Sequence, residues 1–213
     1  MNRHKLGAVA GMAAPVSFLL AVLFVAASRP EYSHYTQFIS ELGETNGTHS
    51  WVMNVFGFGA FSILTAIFFI SRADTLAESE HPLSGRVALV LSLMFCLGVF
   101  AAGVFSCDTT CTPEVATVSQ QLHNFASLVL VVLIAAIPVW VYHLGALSHD
   151  QGYWWYSRVT TIAAALALVM MIGSIEDRDG TGMYQRVLVA SLWLWIALFA
   201  WRVYRADAGR GNS

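Results

Sequence analysis

The chain has 213 residues, 57% of them hydrophobic and 11% charged, with a formal net charge of −2 and a mean hydropathy of +0.62. A soluble domain carries about 25% charged residues, so a water-soluble globular protein is excluded, and near-neutral charge gives no footing for nucleic acid. What remains is one polytopic membrane domain, residues 1–213, with no low-complexity tract, no internal repeat and no loop long enough for a sizeable soluble unit.

Six apolar segments, at about residues 6–28, 51–71, 87–106, 125–143, 159–174 and 187–204, predict an all-α bundle of six membrane-spanning helices. The first follows a basic start, but its apolar run exceeds the roughly 7–15 residues of a signal sequence. It is therefore read as a retained helix. Next comes Tyr32-Ser33-His34-Tyr35-Thr36-Gln37-Phe38-Ile39-Ser40-Glu41-Leu42-Gly43-Glu44. Wound as an α-helix, this stretch gathers Ser33, His34, Gln37, Ser40, Glu41 and Glu44 on one side. It predicts an amphipathic cap helix near 33–42 whose polar face closes over a site. Asn54 sits one turn inside segment two, where an amide needs a protein partner.

The connections at 72–86 and 145–157, with His81 and His149, read as plain solvated turns, and the tail after Tyr204 as disordered. Between segments three and four lie Cys107-Asp108-Thr109-Thr110-Cys111 and then Gln120-Gln121-Leu122-His123-Asn124. Between five and six, Glu176-Asp177-Arg178-Asp179-Gly180 makes a turn, and Gln185 and Arg186 open the last segment. Arg186 is placed to pair with Glu41, Asp108 or Glu176, or to bind an anionic headgroup.

With the N-terminus inside, eight of the eleven Lys and Arg fall on inner segments and three on outer loops. The positive-inside rule therefore predicts a plasma-membrane protein with both termini cytoplasmic and the three chemistry-bearing loops outside. In that oxidising compartment Cys107 and Cys111 are expected to form a disulfide, whereas Cys96, mid-helix, reads as a small core residue.

The motif at 32–43 resembles the signature of an uncharacterised prokaryotic integral membrane family catalogued as domain of unknown function 998. The resemblance extends to Asn54, to Cys107-Asp108 and Cys111, to His123-Asn124 and to Gln185-Arg186, so it spans nearly the whole chain. It implies about six helices and a polar first outer loop. It implies no activity.

From these residues the expectation is a polar pocket on the outer side that binds or hydrolyses a lipid or other amphiphile. Ser33, Gln37, Ser40, Asn54, Asp108, Asn124, Gln185 and Arg186 are the candidate binding groups. For hydrolysis, His34 or His123 would act as base with Glu41 as partner. A divalent metal would draw on His34, Glu41, Asp108 and His123, although no His-x-x-x-His pair exists; a haem held by His49 and His123 is weaker still. The cofactor is otherwise unassigned. Membrane lipids are the expected partners, with room for a protein partner or a second copy. The competing reading is a non-catalytic transporter or accessory subunit whose polar cluster is structural, Ser33, His34, Gln37, Glu41, Asn54, His123 and Arg186 stapling the loop onto the bundle.

Overall fold

The computed structural model describes residues 3–78, 82–143 and 151–210; His81 and His149 lie outside them. Among the described residues the only regular secondary structure is helix, with no strand. The long helices are α1 (Arg3–Ala27), α2 (Ser50–Ser71), α3 (Pro82–Val104), α4 (Val118–His143), α5 (Gln151–Gly173) and α6 (Thr181–Arg210). Among the described residues, five segments are long and apolar enough to cross a membrane: Arg3–Ala27, Ser50–Ser71, Gly85–Val104, Gly152–Gly173 and Thr181–Ala206. That is the make-up of a multi-pass membrane protein. Lipid offers no hydrogen bonds, so each apolar segment must satisfy its own backbone as a helix. All six apolar segments are helical, and most helices outrun their greasy stretch, because helical hydrogen bonding continues into flanking polar turns. The tail expected to be disordered after Tyr204 is helical to Arg210 for the same reason.

Exposed Leu20, Leu23, Phe24, Ile63, Leu97 and Val169 give the bundle an apolar exterior. Inside, an aromatic stack ties the helices. Phe18 of α1 packs on Trp193 of α6 with ring centroids 3.9 Å apart, and on Phe58 and Phe61 of α2 at 5.4 and 5.7 Å. Trp195 is fully buried, donates to Ser157 Oγ at 2.8 Å and so pins α6 to α5. Cys96 is free and buried in the core.

Helix α2 is not uniform. Residues Met53–Gly59 form a π-helical stretch, whose wider turn leaves backbone groups to be satisfied from outside the helix. Ser17 of α1 donates to the Phe56 carbonyl there at 2.6 Å. Both chain ends lie at one pole: Gly11 of α1 abuts Ala200 of α6, and Arg3 is ion-paired with Asp74. The opposite pole carries the connections 28–49, 105–117 and 174–180, which bond to one another and to the helix ends beneath them.

Candidate functional site

At this loop pole the expected cap α-helix over 33–42 is absent. Residues 34–36 form a turn, and Ile39–Gly43 form a 3-10 helix. Side chains have taken the backbone groups an α-helix would use. The Ser33 N–H donates to Gln37 Oε1 at 2.8 Å, the Thr36 N–H to Ser33 Oγ at 3.3 Å and the Phe38 N–H to Glu41 Oε1 at 3.0 Å. Arg29 anchors the other end, donating to the carbonyls of Glu41 (2.8 Å), Leu42 (3.0 Å) and Thr48 (3.0 Å) and pairing with Glu44 at 3.2 Å. The facial separation expected of an α-helix is lost with it: Ile39, Glu41, Leu42 and Gly43 are all buried together.

Glu41 lies at the centre, with 2% of its surface exposed. Its partner is Arg178, not Arg186: Arg178 Nη1 donates to Glu41 Oε1 at 2.6 Å, and Gln37 Nε2 donates to Oε2 at 2.9 Å. Arg178 also donates to the Thr110 carbonyl (2.9 Å) and to Thr112 Oγ1 (2.8 Å), so one guanidinium ties all three loops together. Its fixed fork suits such a junction in a way an ammonium does not. Sequence reasoning missed it because an Arg among three acids reads as a solvated turn. The available signal was its scarcity, as one of three basic residues on that side of the chain.

Arg186 bonds instead to the Gln37 carbonyl (3.0 Å), the Gly182 carbonyl (2.7 Å) and the Tyr32 hydroxyl. Burial pushes the Tyr32 phenol up to about 12 against the pull of Arg186, so it stays a neutral donor, to the Phe38 carbonyl at 2.9 Å. Gly182 is required here, since a Cβ would stand 2.3 Å from the Gln37 carbonyl oxygen. Gln185 Oε1 accepts the Ile39 N–H at 2.5 Å. Asn54 reaches up from the π-helical stretch and donates to the Gly43 carbonyl and to Ser106 Oγ, both at 2.9 Å.

Cys107 and Cys111 form a disulfide, and its sulfurs lie 3.6 Å from the Ser40 carbonyl and hydroxyl oxygens. Asp108 is occupied at the start of α4, accepting from the Thr117 N–H (3.0 Å) and hydroxyl (2.8 Å). Gln120, which no motif marked, is 1% exposed and braces this loop: Oε1 accepts the Asp108 N–H at 2.7 Å, and Nε2 donates to Asn124 Oδ1 at 2.7 Å. His34 and Ser33 stay at the periphery. His34 is exposed, its ring edge-on to Tyr32. His49 is exposed beside Phe24.

The four proposed metal ligands therefore separate. Glu41 is committed to Arg178, Asp108 to Thr117 and His34 to the surface, and no three His, Cys, Asp or Glu among the described residues converge in a metal-binding group. His123 is a different case. It is 4% exposed, with Nδ1 3.1 Å from the Ala102 carbonyl and 2.9 Å from the Phe105 carbonyl. Carbonyl oxygens only accept, so Nδ1 carries the proton and Nε2 the lone pair. No carboxylate orients this ring; the backbone of α3 does.

Directly beneath the loop layer is a cavity of about 310 Å³. Its floor and walls are apolar, built from Phe18, Phe58, Phe61, Val99, Leu188 and Trp193. Phe38, Ile39, Ser40 and Cys111 roof it, and His123, Asn124, Ser127 and Gln185 supply the polar part of its wall. The candidate residues thus divide into two groups. Ser40, His123, Asn124 and Gln185 meet at the cavity, whereas Ser33, Gln37, Glu41, Asn54, Asp108 and Arg186 belong to the layer above it. No curated protein and no solved structure matches the chain. A family model described as "Protein of unknown function (DUF998)" matches residues 12–202, and the chain belongs to that family.

Proposed function

We propose that this protein binds a lipid or other amphiphile in the cavity beneath the loop layer, at the outer side of the plasma membrane, with α4 as a sixth span and both termini cytoplasmic. The charge bias supports that orientation: the pole with the chain ends holds most of the Lys and Arg. An even number of crossings is what places both ends together.

The observation that carries the reading is the cavity itself, apolar for most of its wall with five polar side chains in its roof and wall. Ligand sites are built this way, with a hydrophobic lining and a few placed polar groups. Hydrolysis ranks behind binding. His123 is the one base facing the cavity among the described residues, and the carboxylate expected to assist it, Glu41, is engaged elsewhere.

The test is lipid analysis of the protein extracted without detergent, in polymer-bounded native membrane discs. Wild type should carry one enriched amphiphile at about one per chain, and Ala102→Phe and Ser127→Phe, which fill the cavity, should lose it while the thermal midpoint stays put. An unchanged lipid profile in both folded variants would defeat the reading. It would leave the accessory or transport role, which the self-contained hydrogen bonding around Glu41 favours.

A further inference from the structure

Building on that reading of the cavity, we infer its ligand class: a single-chain, uncharged amphiphile whose head presents a hydroxyl group, received at Nε2 of His123. Both hydrogen-bond capacities of the wall can be assigned from fixed backbone partners. His123 Nδ1 must donate, because it faces the Ala102 and Phe105 carbonyls. The ring is buried and cannot turn without losing both contacts, so Nε2 is a permanent acceptor.

The two amides at the wall are equally determined. Gln185 Oε1 receives the Ile39 N–H, which leaves its NH₂ free to donate. Gln120 Oε1 receives the Asp108 N–H, so its NH₂ must face Asn124 Oδ1, which in turn leaves the Asn124 NH₂ free. Ser127 has no hydrogen-bond partner among the described residues and can donate or accept. The wall therefore offers an acceptor, two amide donors and a hydroxyl. A group that both donates and accepts satisfies it; a hydroxyl does so, and a fully ionised phosphate or carboxylate, which only accepts, leaves Nε2 unmet.

Charge points the same way. Among the described residues, no Lys, Arg, Asp or Glu lines the cavity. The guanidinium groups above it are taken: Arg178 by Glu41, Thr110 and Thr112, and the Nη atoms of Arg186 by Gln37, Gly182 and Tyr32. Arg186 Nε has no partner, but it is buried within the loop layer and Arg186 does not line the cavity. An anionic head would lie in a mostly apolar space without a counter-charge, which is costly. A volume of about 310 Å³ stands at the low end of the roughly 300–1,000 Å³ range of ligand sites, enough for one chain rather than two.

Trp193 in the cavity wall supplies the assay. The full-length protein, in phosphatidylcholine nanodiscs at pH 9, is titrated with a brominated stearoyl monoacylglycerol and, separately, with the 2-deoxy lysophosphatidate of the same chain, whose head has no hydroxyl and whose phosphate is then fully ionised. Bromine quenches indole on contact, and the signal is the quenching present in wild type and missing in Trp193→Phe. The monoacylglycerol should saturate at a concentration about tenfold lower than the lysophosphatidate, the scale of one buried hydrogen bond left unmet. His123→Phe should shrink that preference to about twofold or less; if it does not fold, Asn124→Leu, at an exposed position, should weaken monoacylglycerol binding. Equal saturation by both heads, tighter lysophosphatidate binding, an unchanged preference in folded His123→Phe, or undiminished monoacylglycerol binding in Asn124→Leu would overturn the head-group inference and leave the amphiphile site standing. Absence of saturable Trp193 quenching by either probe would overturn the amphiphile site itself.

Discussion

The loop layer and the cavity beneath it are built from the same kinds of side chain and end in opposite states. Around Glu41, charges and amides are matched against one another: carboxylate to guanidinium, amide to carboxylate, guanidinium to backbone carbonyl. A layer closed in this way resists change and has little left to offer a ligand. At the cavity, His123, Asn124 and Gln185 each spend one hydrogen-bonding group on the protein and keep another free. The lesson is that polar density alone does not mark a binding site; unspent capacity facing a space does.

The sharpest way to break this contrast is to open the closed layer. Glu41→Ala strands the Arg178 charge and the Phe38 N–H. Removing one member of a buried pair costs about 3–5 kcal/mol, and because the Arg178 side chain keeps 25% exposure the lower end is expected, about 3 kcal/mol, read from thermal or denaturant unfolding at fixed detergent. Glu41→Gln should lose distinctly less. A loss under about 1 kcal/mol in Glu41→Ala would mean that the pair is solvated, as surface pairs are.

Next in size is the disulfide. Joint replacement of Cys107 and Cys111 by Ser removes a short covalent loop, worth about 2 kcal/mol by chain entropy. The same shift should follow from reductant in wild type and be absent in the double variant. Gly43→Ala comes third: its Cβ would lie 2.2 Å from Asn54 Oδ1, and Asn54 cannot swing aside without giving up Gly43 and Ser106. About 1.5 kcal/mol of destabilisation is expected, with partial recovery in the double variant Gly43→Ala/Asn54→Ala.

The smallest effect belongs to the periphery. Burial, aided by the positive Arg186 nearby, holds the His34 imidazole below its ordinary 6.5. The unfolded chain then takes the proton first as pH falls, so stability is whole above about pH 6.5 and declines below it. His34 is exposed, so solvent screening keeps the loss to a fraction of a kcal/mol. His34→Gln should flatten that part of the stability–pH curve and leave cavity binding unchanged; a steep residual slope would point to another group.

The helical architecture was legible in the chain because the period of greasy residues and the demand for self-satisfied backbone leave few alternatives. The importance of the stretch at 32–44 was legible too, since so many polar groups in a membrane protein require partners. Its conformation was not. Reading it as an α-helix presumes that the backbone bonds to itself, and here Glu41, Gln37 and Ser33 compete successfully for those N–H groups. Nor was the pairing of Glu41 legible: Arg186 stood at the expected depth, but Arg178, held with its backbone in the left-handed region (φ 61°), reaches the carboxylate. Gln120 carried no motif, and only its burial between two loops gives it a role.

Local pattern by itself determined that the chain is helical, that it is a membrane protein and which loops hold its polar residues, because hydropathy and periodicity act within a single segment. Three-dimensional packing alone decided which carboxylate meets which guanidinium, that Asp108 holds Thr117 in front of α4, and that His123 rather than His34 faces an open space. The first of those outcomes joins residues 137 positions apart, and all three depend on which donors and acceptors the fold brings together, so no single stretch of sequence records who wins.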